Sequence, residues 1–304
     1  MTRMGQQYGT VRQRALPGVS YVPAELGRGA HQTGDELLAA LSVPSAGQLF
    51  DLDAGRWPGM PVLPVHPPFV MTTYRTPGRA VRTPDAATET GVTTELIVSS
   101  AHTGTHIDAL CHVTEGSRWF GGGLDAEHLG DFGPTLAEAS SIPPFLCRGV
   151  LLDVAALRGV EALPAGERIT AEDLRAAADR QGVELRPGDA VLIRTGYMAV
   201  WGDDARRDAH YAAGPDTSAG RFLAESGAVV VGSDTENFEC LPAASGEEFL
   251  PVHRHLLGEA GVHIIELLYL EQLARARLRE FLFVCLSLRM RGATGSMVRP
   301  VAVA

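Results

Sequence analysis

From Thr170 to Arg194 the chain reads TAEDLRAAADRQGVELRPGDAVLIR, and this stretch decides the fold class. Thr170 suits a helix N-cap because its hydroxyl can accept one of the amides that a helix start leaves unpaired. Glu172 and Asp173 place negative charge at the positive end of the same helix, and Gly182 stands where a left-handed closing residue is wanted. The spacing predicts a helix from Thr170 through Gln181. Pro187-Gly188-Asp189 then turns the chain, and Ala190–Arg194 is an apolar run of strand length. Helix, turn and buried strand in quick succession is the rhythm of an α/β protein.

The same rhythm extends outward. Gly149–Val154 is a short apolar run. Ser218–Ser226 reads as a helix closed by Gly227, and Ala228–Gly232 as an apolar strand. Val252–Glu259 is helical, Val262–Leu268 a strand, and Glu280–Leu288 a last strand. Thr93–Ser99 alternates with β-branched residues and reads as a strand. Between Trp57 and Phe69 the prolines at 58, 61, 64, 67 and 68 exclude a helix, leaving loop or edge strand. The first 45 residues, rich in Gly, Gln, Arg and Pro with a helical pattern at Asp35–Leu41, read as an N-terminal extension. No repeat or linker divides the rest. The expectation is α/β, a single domain over 46–304 built on a mixed β-sheet.

Composition removes several chemistries. All 26 basic residues are arginine, with no lysine in 304 residues. Schiff-base and pyridoxal-phosphate enzymes, biotin or lipoyl carriers, P-loop NTPases and protein kinases all need a lysine amine. Arginine stays protonated and cannot replace it as base or nucleophile. A net charge of −10 argues against nucleic acid as a partner. The N-terminus has no apolar run of a secretory signal, and the longest apolar stretch, within Phe281–Leu288, is far short of a membrane span. A soluble, cytoplasmic protein with no membrane partner is expected. Cys111, Cys147, Cys240 and Cys285 form no C-x-x-C pair and read as buried thiols.

The chemistry concentrates in Ala101-His102-Thr103-Gly104-Thr105-His106-Ile107-Asp108-Ala109-Leu110-Cys111-His112. In an extended chain, positions 102, 106, 108 and 112 share one face. Two imidazoles and a carboxylate on one face are ligands that zinc or manganese prefers. No glutamate follows His102, so this is not a helical zincin. Cys111 points away from His112 in such a chain and is a poor nucleophile candidate. Glu266 is a second signal: apolar residues flank it on both sides, and a buried carboxylate is costly unless paired or metal-bound. His253, with His255 two residues on, opens the helix that leads into that strand, and a return of the chain could bring His253 to Glu266. Asp234 ends a strand and reads foremost as a cap or turn residue. Trp119-Phe120-Gly121-Gly122-Gly123 lacks the context of a dinucleotide site and reads as a mobile aromatic pocket loop. Gly292-Ala293-Thr294-Gly295-Ser296 is not a serine-hydrolase elbow.

These residues resemble the cyclase superfamily that includes bacterial kynurenine formamidase and isatin hydrolase, whose signature is H-x-G-T-H-x-D-x-P-x-H. His102, Gly104, Thr105, His106, Asp108 and His112 match it. The resemblance runs from about Phe50 to the C-terminus, through Pro58-Gly59-Met60-Pro61, Gly149–Asp153, Arg186-Pro187-Gly188-Asp189, Pro251-Val252-His253 and Gly292–Ser296. It implies a swivelling β/β/α fold, a homodimer or homotetramer, and a divalent-metal-dependent hydrolase with one or two Zn2+ or Mn2+ ions. It assigns His102, His106 and Asp108 to one metal, with Asp108 bridging to a second held by His253 and Glu266, and makes His112 the acid/base. Three departures stand out. A kynurenine-contacting tryptophan is Leu63 here, the motif proline is Leu110, and the histidine-to-glutamate interval is one residue longer, which keeps His255 open as a ligand. Isatin-hydrolase-like relatives lack the glutamate, so Glu266 favours two metals.

The function expected is hydrolytic opening of a C–N bond in an amide, imide or lactam. The substrate would be a small cyclic or aryl molecule, with Leu63, Phe69 and Phe120 contacting the ring. The alternative is a metal-dependent cyclase, dehydratase or lactone hydrolase of secondary metabolism. With no lysine to serve as a carbamate bridge, a bridging ligand must be a carboxylate.

Overall fold

The computed structural model describes residues 27–76, 91–120, 128–209 and 213–304. A nine-stranded mixed sheet runs in the order Leu49–Asp51, Val301–Val303, Glu280–Cys285, Phe145–Asp153, Ala190–Arg194, Val230–Ser233, His263–Glu266, His106–Asp108, Gly295–Met297. The four strands from Phe145–Asp153 to His263–Glu266 are parallel and follow chain order. Crossovers that step in one direction, each right-handed, put their helices on one face. The helices Val154–Arg158, Ala171–Gln181, Thr217–Glu225 and the helical segment Arg254–Ala260 accordingly touch one another in series. Antiparallel strands close both sides. This is the mixed α/β domain that the alternation in the second half predicts.

Local chemistry sets the element boundaries. Thr170 caps Ala171–Gln181 through a capping box with Asp173, and Gly182 ends it at φ 67°. Such a cap contributes about 1 kcal/mol. Ala190–Arg194 is a fully buried strand, and Thr94–Val98 is a strand of an antiparallel hairpin with Val70–Arg75. The strand expected over Glu280–Leu288 stops at Cys285 and is not the last: Gly295–Met297 and Val301–Val303 follow. Strands this short, set among Gly and Pro, are too brief to show an alternating pattern. The segment Arg254–Ala260 is a π-helix continuing the turn Pro251–His253.

Of the extension expected over residues 1–45, residues 1–26 lie outside the described residues. The rest is docked: the Arg28 amide donates to the Gly261 carbonyl at 2.8 Å, and the Gln32 side-chain amide to the Leu146 carbonyl at 2.6 Å. The helix Gly34–Leu41 packs on the strand Phe145–Asp153. These contacts lie where the parallel strands begin. The other edge, where Asp153, Arg194, Ser233 and Glu266 end their strands, carries the polar side chains. Loops at such carboxyl ends are where open α/β sheets place their sites. No helix among the described residues is long and apolar enough to cross a membrane. All four cysteines are buried and free.

Candidate metal centre

The histidine motif reaches its geometry by a route different from the extended chain expected. Residues 101–105 form a turn, and only His106–Asp108 is strand. Gly104 makes the turn at φ 62°, and a Cβ there would come within 3.0 Å of the Gly55 carbonyl. Arg56 braces the turn, donating from Nε to the Thr103 carbonyl at 3.0 Å and from Nη2 to the Thr105 carbonyl. His106 and Asp108 share a face two residues apart, and the turn folds His102 back beside them. Gly295, on the neighbouring strand, leaves room for that ring: a Cβ would lie 2.6 Å from His102 Cε1.

Two groups of potential ligands result, His102–His106–Asp108 and Asp108–His253–Glu266, each with ligand atoms within 4.8 Å of one another. Asp108 belongs to both. His102 Nδ1 lies 2.9 Å and His106 Nε2 3.6 Å from Asp108 Oδ1, while His253 Nε2 is 3.7 Å from Oδ2. Glu266 spans the other side, 3.2 Å from His106 Nε2 and 3.2 Å from His253 Nε2. The second nitrogen of each imidazole is engaged elsewhere: His106 Nδ1 with the Gly104 carbonyl (2.8 Å), His102 Nε2 with Thr294 Oγ1 (2.9 Å), His253 Nδ1 with Glu239 Oε1 (2.5 Å). Such outer partners fix the tautomer and turn the free nitrogen inward. His255 faces away, paired with Glu259 at 2.7 Å on the exposed side, so His253 is the histidine that joins the cluster.

Asp108 is 1% exposed, yet for all the closeness of the imidazoles neither carboxylate oxygen nor His102 Nδ1 has a partner in hydrogen-bond geometry. Buried carboxylate oxygens without donors cost several kcal/mol, roughly, unless a cation satisfies them, so the donor set fits a divalent metal. Burial works to raise the Asp108 pKa, but His112, His102 and His106 hold it well below the carboxylate range. Burial likewise opposes charge on His253, but the hydrogen bonds to Glu239 and Glu266 outweigh it and carry the pKa up to about 10. On His106 burial again opposes charge, and Glu266 with Asp108 overcomes it and raises the pKa.

His112 stacks on His102 with ring centroids 4.1 Å apart. A narrow cleft beside the cluster is lined by Pro61, Val62, Leu63, His66, Glu236 and Leu267 together with His102, Gly104 and His106. Of the three residues expected to contact a substrate ring, Leu63 lines this cleft. Phe69 is instead buried in a cluster with Met60, Met198, Trp201 and Leu267. Phe120 packs against Gly261, ahead of the strand that ends in Glu266, because the glycine there leaves a seat for its ring. Gly121–Gly123, part of the expected pocket loop, lie outside the described residues. Cys111 is a buried thiol whose pKa burial and Glu138 push up to about 12, unsuited to nucleophilic attack. Asp234 accepts from the Thr195 amide, the Thr195 hydroxyl and the Gly196 amide, each at 2.8 Å, a turn-tying role.

Glu239 and Glu236 were not legible as site residues. The Glu239 carboxylate also accepts the amides of Val252 and His253, at 3.2 and 2.8 Å. Its flanking Phe238 and Cys240, both buried, were the available signal.

A family model described as "Putative cyclase" matches residues 46–240. A crystal structure described as a novel cyclase superposes with a TM-score of 0.81 at 28% identity, covering 92% of this chain and 96% of that one. Isatin hydrolase A from Ralstonia solanacearum gives a TM-score of 0.63 at 22% identity over 88% and 97% of the two chains. A "predicted metal-dependent hydrolase" from Bacillus stearothermophilus gives 0.53 at 24% over 85% and 98%. The last two are similar in fold. No curated protein matches the sequence.

Proposed function

The chain belongs to the cyclase family, and from that premise we propose that it is a metal-dependent hydrolase that opens a C–N bond of a small cyclic or aryl amide, imide or lactam. The observation that carries this reading is the pair of ligand groups meeting at Asp108, whose two buried oxygens are approached by imidazole nitrogens but have no partner in hydrogen-bond geometry. His102, His106 and Asp108 would hold one Zn2+ or Mn2+ ion, and Asp108, His253 and Glu266 a second. A divalent ion supplies a Lewis acid that acidifies water and polarises a carbonyl.

The chain's own residues do the rest. His112 is the acid/base. Burial, with His102 and His253 beside it, outweighs Asp108 and pulls its pKa down to about 4, so at neutral pH it is uncharged with a lone pair available. It takes the proton of the attacking water and returns it to the leaving nitrogen. Leu63, Val62 and Leu267 give the cleft an apolar wall; its free volume of about 10 Å³ holds no more than a water, so these side chains must part to admit a substrate ring.

The test pairs elemental analysis of protein purified without added metal with an amide, imide and lactone panel assayed with zinc and with manganese. Bound metal and a product heavier by one water are expected. Turnover by metal-free protein would end the reading. The description of the 28% identical structure as a cyclase favours a second reading, ring closure with loss of water, which the product mass separates.

The chain also acts as a homodimer or homotetramer in this reading. Val70, Met71, Tyr74, Leu96, Ile97 and Val98 of the hairpin are each about half exposed or more, and a two-stranded hairpin is marginal without a surface to cover it. A monomer by light scattering at micromolar concentration would refute this.

A further inference from the structure

Glu236 is a carboxylate that the reaction above does not use. It lines the same cleft as His102 and His106, together with the apolar Pro61–Leu63 segment, and is only 7% exposed. Trp201 Nε1 donates to its Oε1 at 3.1 Å, and the Tyr197 hydroxyl also favours its charged form. Both donors are neutral. Arg207 acts on it through space, but that guanidinium is committed to Asp204 at 2.7 Å and Asp208 at 3.3 Å. If Glu236 served only to tie Trp201 and Tyr197, a neutral glutamine would do so without the cost of burying a charge. Burial pushes the Glu236 pKa up, with Trp201, Arg207 and Tyr197 working against it; ionised opposite a cationic group, the carboxylate adds negative potential on the wall of a cleft that also holds metal ligands.

We propose that Glu236 is a specificity-determining residue that receives a nitrogen-borne hydrogen-bond donor of the substrate, best a protonated amine, while the scissile carbonyl lies toward Asp108 and His112. The inference deepens the hydrolase reading and rests on it. The substrate class becomes an amine-bearing aryl or cyclic amide, held by an ion pair at one end and by the metal centre at the other. Leu63 and Leu267 pack against the ring. A charge-assisted hydrogen bond in a buried setting is stronger than a neutral one, so an amine should be preferred over an isosteric methyl group.

Hydroxamates test this without knowledge of the substrate, because they anchor on a protein-bound divalent metal. The ortho, meta and para aminomethyl-benzohydroxamates and the matching ethyl compounds, in which a methyl group replaces the amine, are titrated into zinc-loaded wild type, Glu236→Gln and Glu236→Ala. Dissociation constants are read by calorimetry, with metal content and melting temperature measured on each protein. At least one aminomethyl isomer should bind wild type about tenfold or more tighter than its ethyl partner. That gain should shrink to within about threefold in both variants at equal metal content. No amine preference in wild type, or a preference that survives both substitutions, overturns the proposal and leaves the metal centre standing. Failure of every hydroxamate to bind wild type that holds zinc overturns this inference alone, and failure of wild type to retain zinc overturns the metal-centre reading with it.

Discussion

Two buried clusters of charge occupy the same edge of the sheet. In one, Arg194 ends its strand 8% exposed, with Nε 2.8 Å and Nη2 3.0 Å from the Glu271 oxygens and Nη1 2.9 Å from Asp153. Each of these acids has its cation inside the chain. In the other, Asp108 is more deeply buried still, yet neither oxygen has a partner in hydrogen-bond geometry and the groups around it are imidazoles. Burial and position in the fold are alike. The difference is that the first cluster encodes its own positive charge and the second leaves a place for one. A buried carboxylate here is answered by arginine, as at Glu271, or by amides and hydroxyls, as at Asp234; one left with neither is marked for other work.

Asp108→Asn attacks the contrast most directly. It should abolish bound metal and turnover, and added zinc should raise the melting temperature of wild type but not of the variant, since only a ligand bound to the native state stabilises it. Equal zinc stabilisation of both would erase the distinction. His112→Ala should retain metal and lose about 10²–10⁴ in turnover. In wild type the base must be neutral. With its pKa lowered to about 4, kcat/KM should hold as the pH falls and be lost only near pH 4, not near the ~6.5 of a free imidazole. An acid limb near ~6.5 at unchanged metal content would show that His112 is not the group. Glu239→Gln removes the carboxylate that orients His253 and should weaken metal binding about 10–100-fold, measured by chelator competition. Arg194→Met should have the smallest effect at the metal centre. Metal content stays unchanged, while chemical denaturation shows a loss of about 3–5 kcal/mol from stranded carboxylates.

Much of this was readable from the residues. Thr170, Asp173 and Gly182 fix their helix locally, so its ends fall where the capping residues place them. Ala190–Arg194 is legible because a strand buried on both faces is apolar throughout. Glu266 stood out for the converse reason, a charge in an apolar run. The turn at Gly104 was not legible, since an alternating pattern and a turn can both bring His102, His106 and Asp108 together. Glu236 and Glu239 lie in Ser233–Cys240, and nothing in that acidic stretch announces that the fold buries all of it. Burial there comes from the segments packed over the loop, and no local pattern encodes it. The packing of Phe69 and Phe120 was not legible for the same reason: aromatic character announces burial, but the destination depends on distant partners.

Thr105 donates to the Leu267 carbonyl across 162 positions of sequence, and His263 reaches the Asp108 carbonyl across 155. The motif that looks self-contained on paper is therefore unfinished until nearly the last strands have been made. On the ribosome, the histidines emerge long before Glu266 clears the exit tunnel. The full donor set therefore belongs to the closing stage of biogenesis, and a truncated or stalled chain will carry the signature without the second group of ligands.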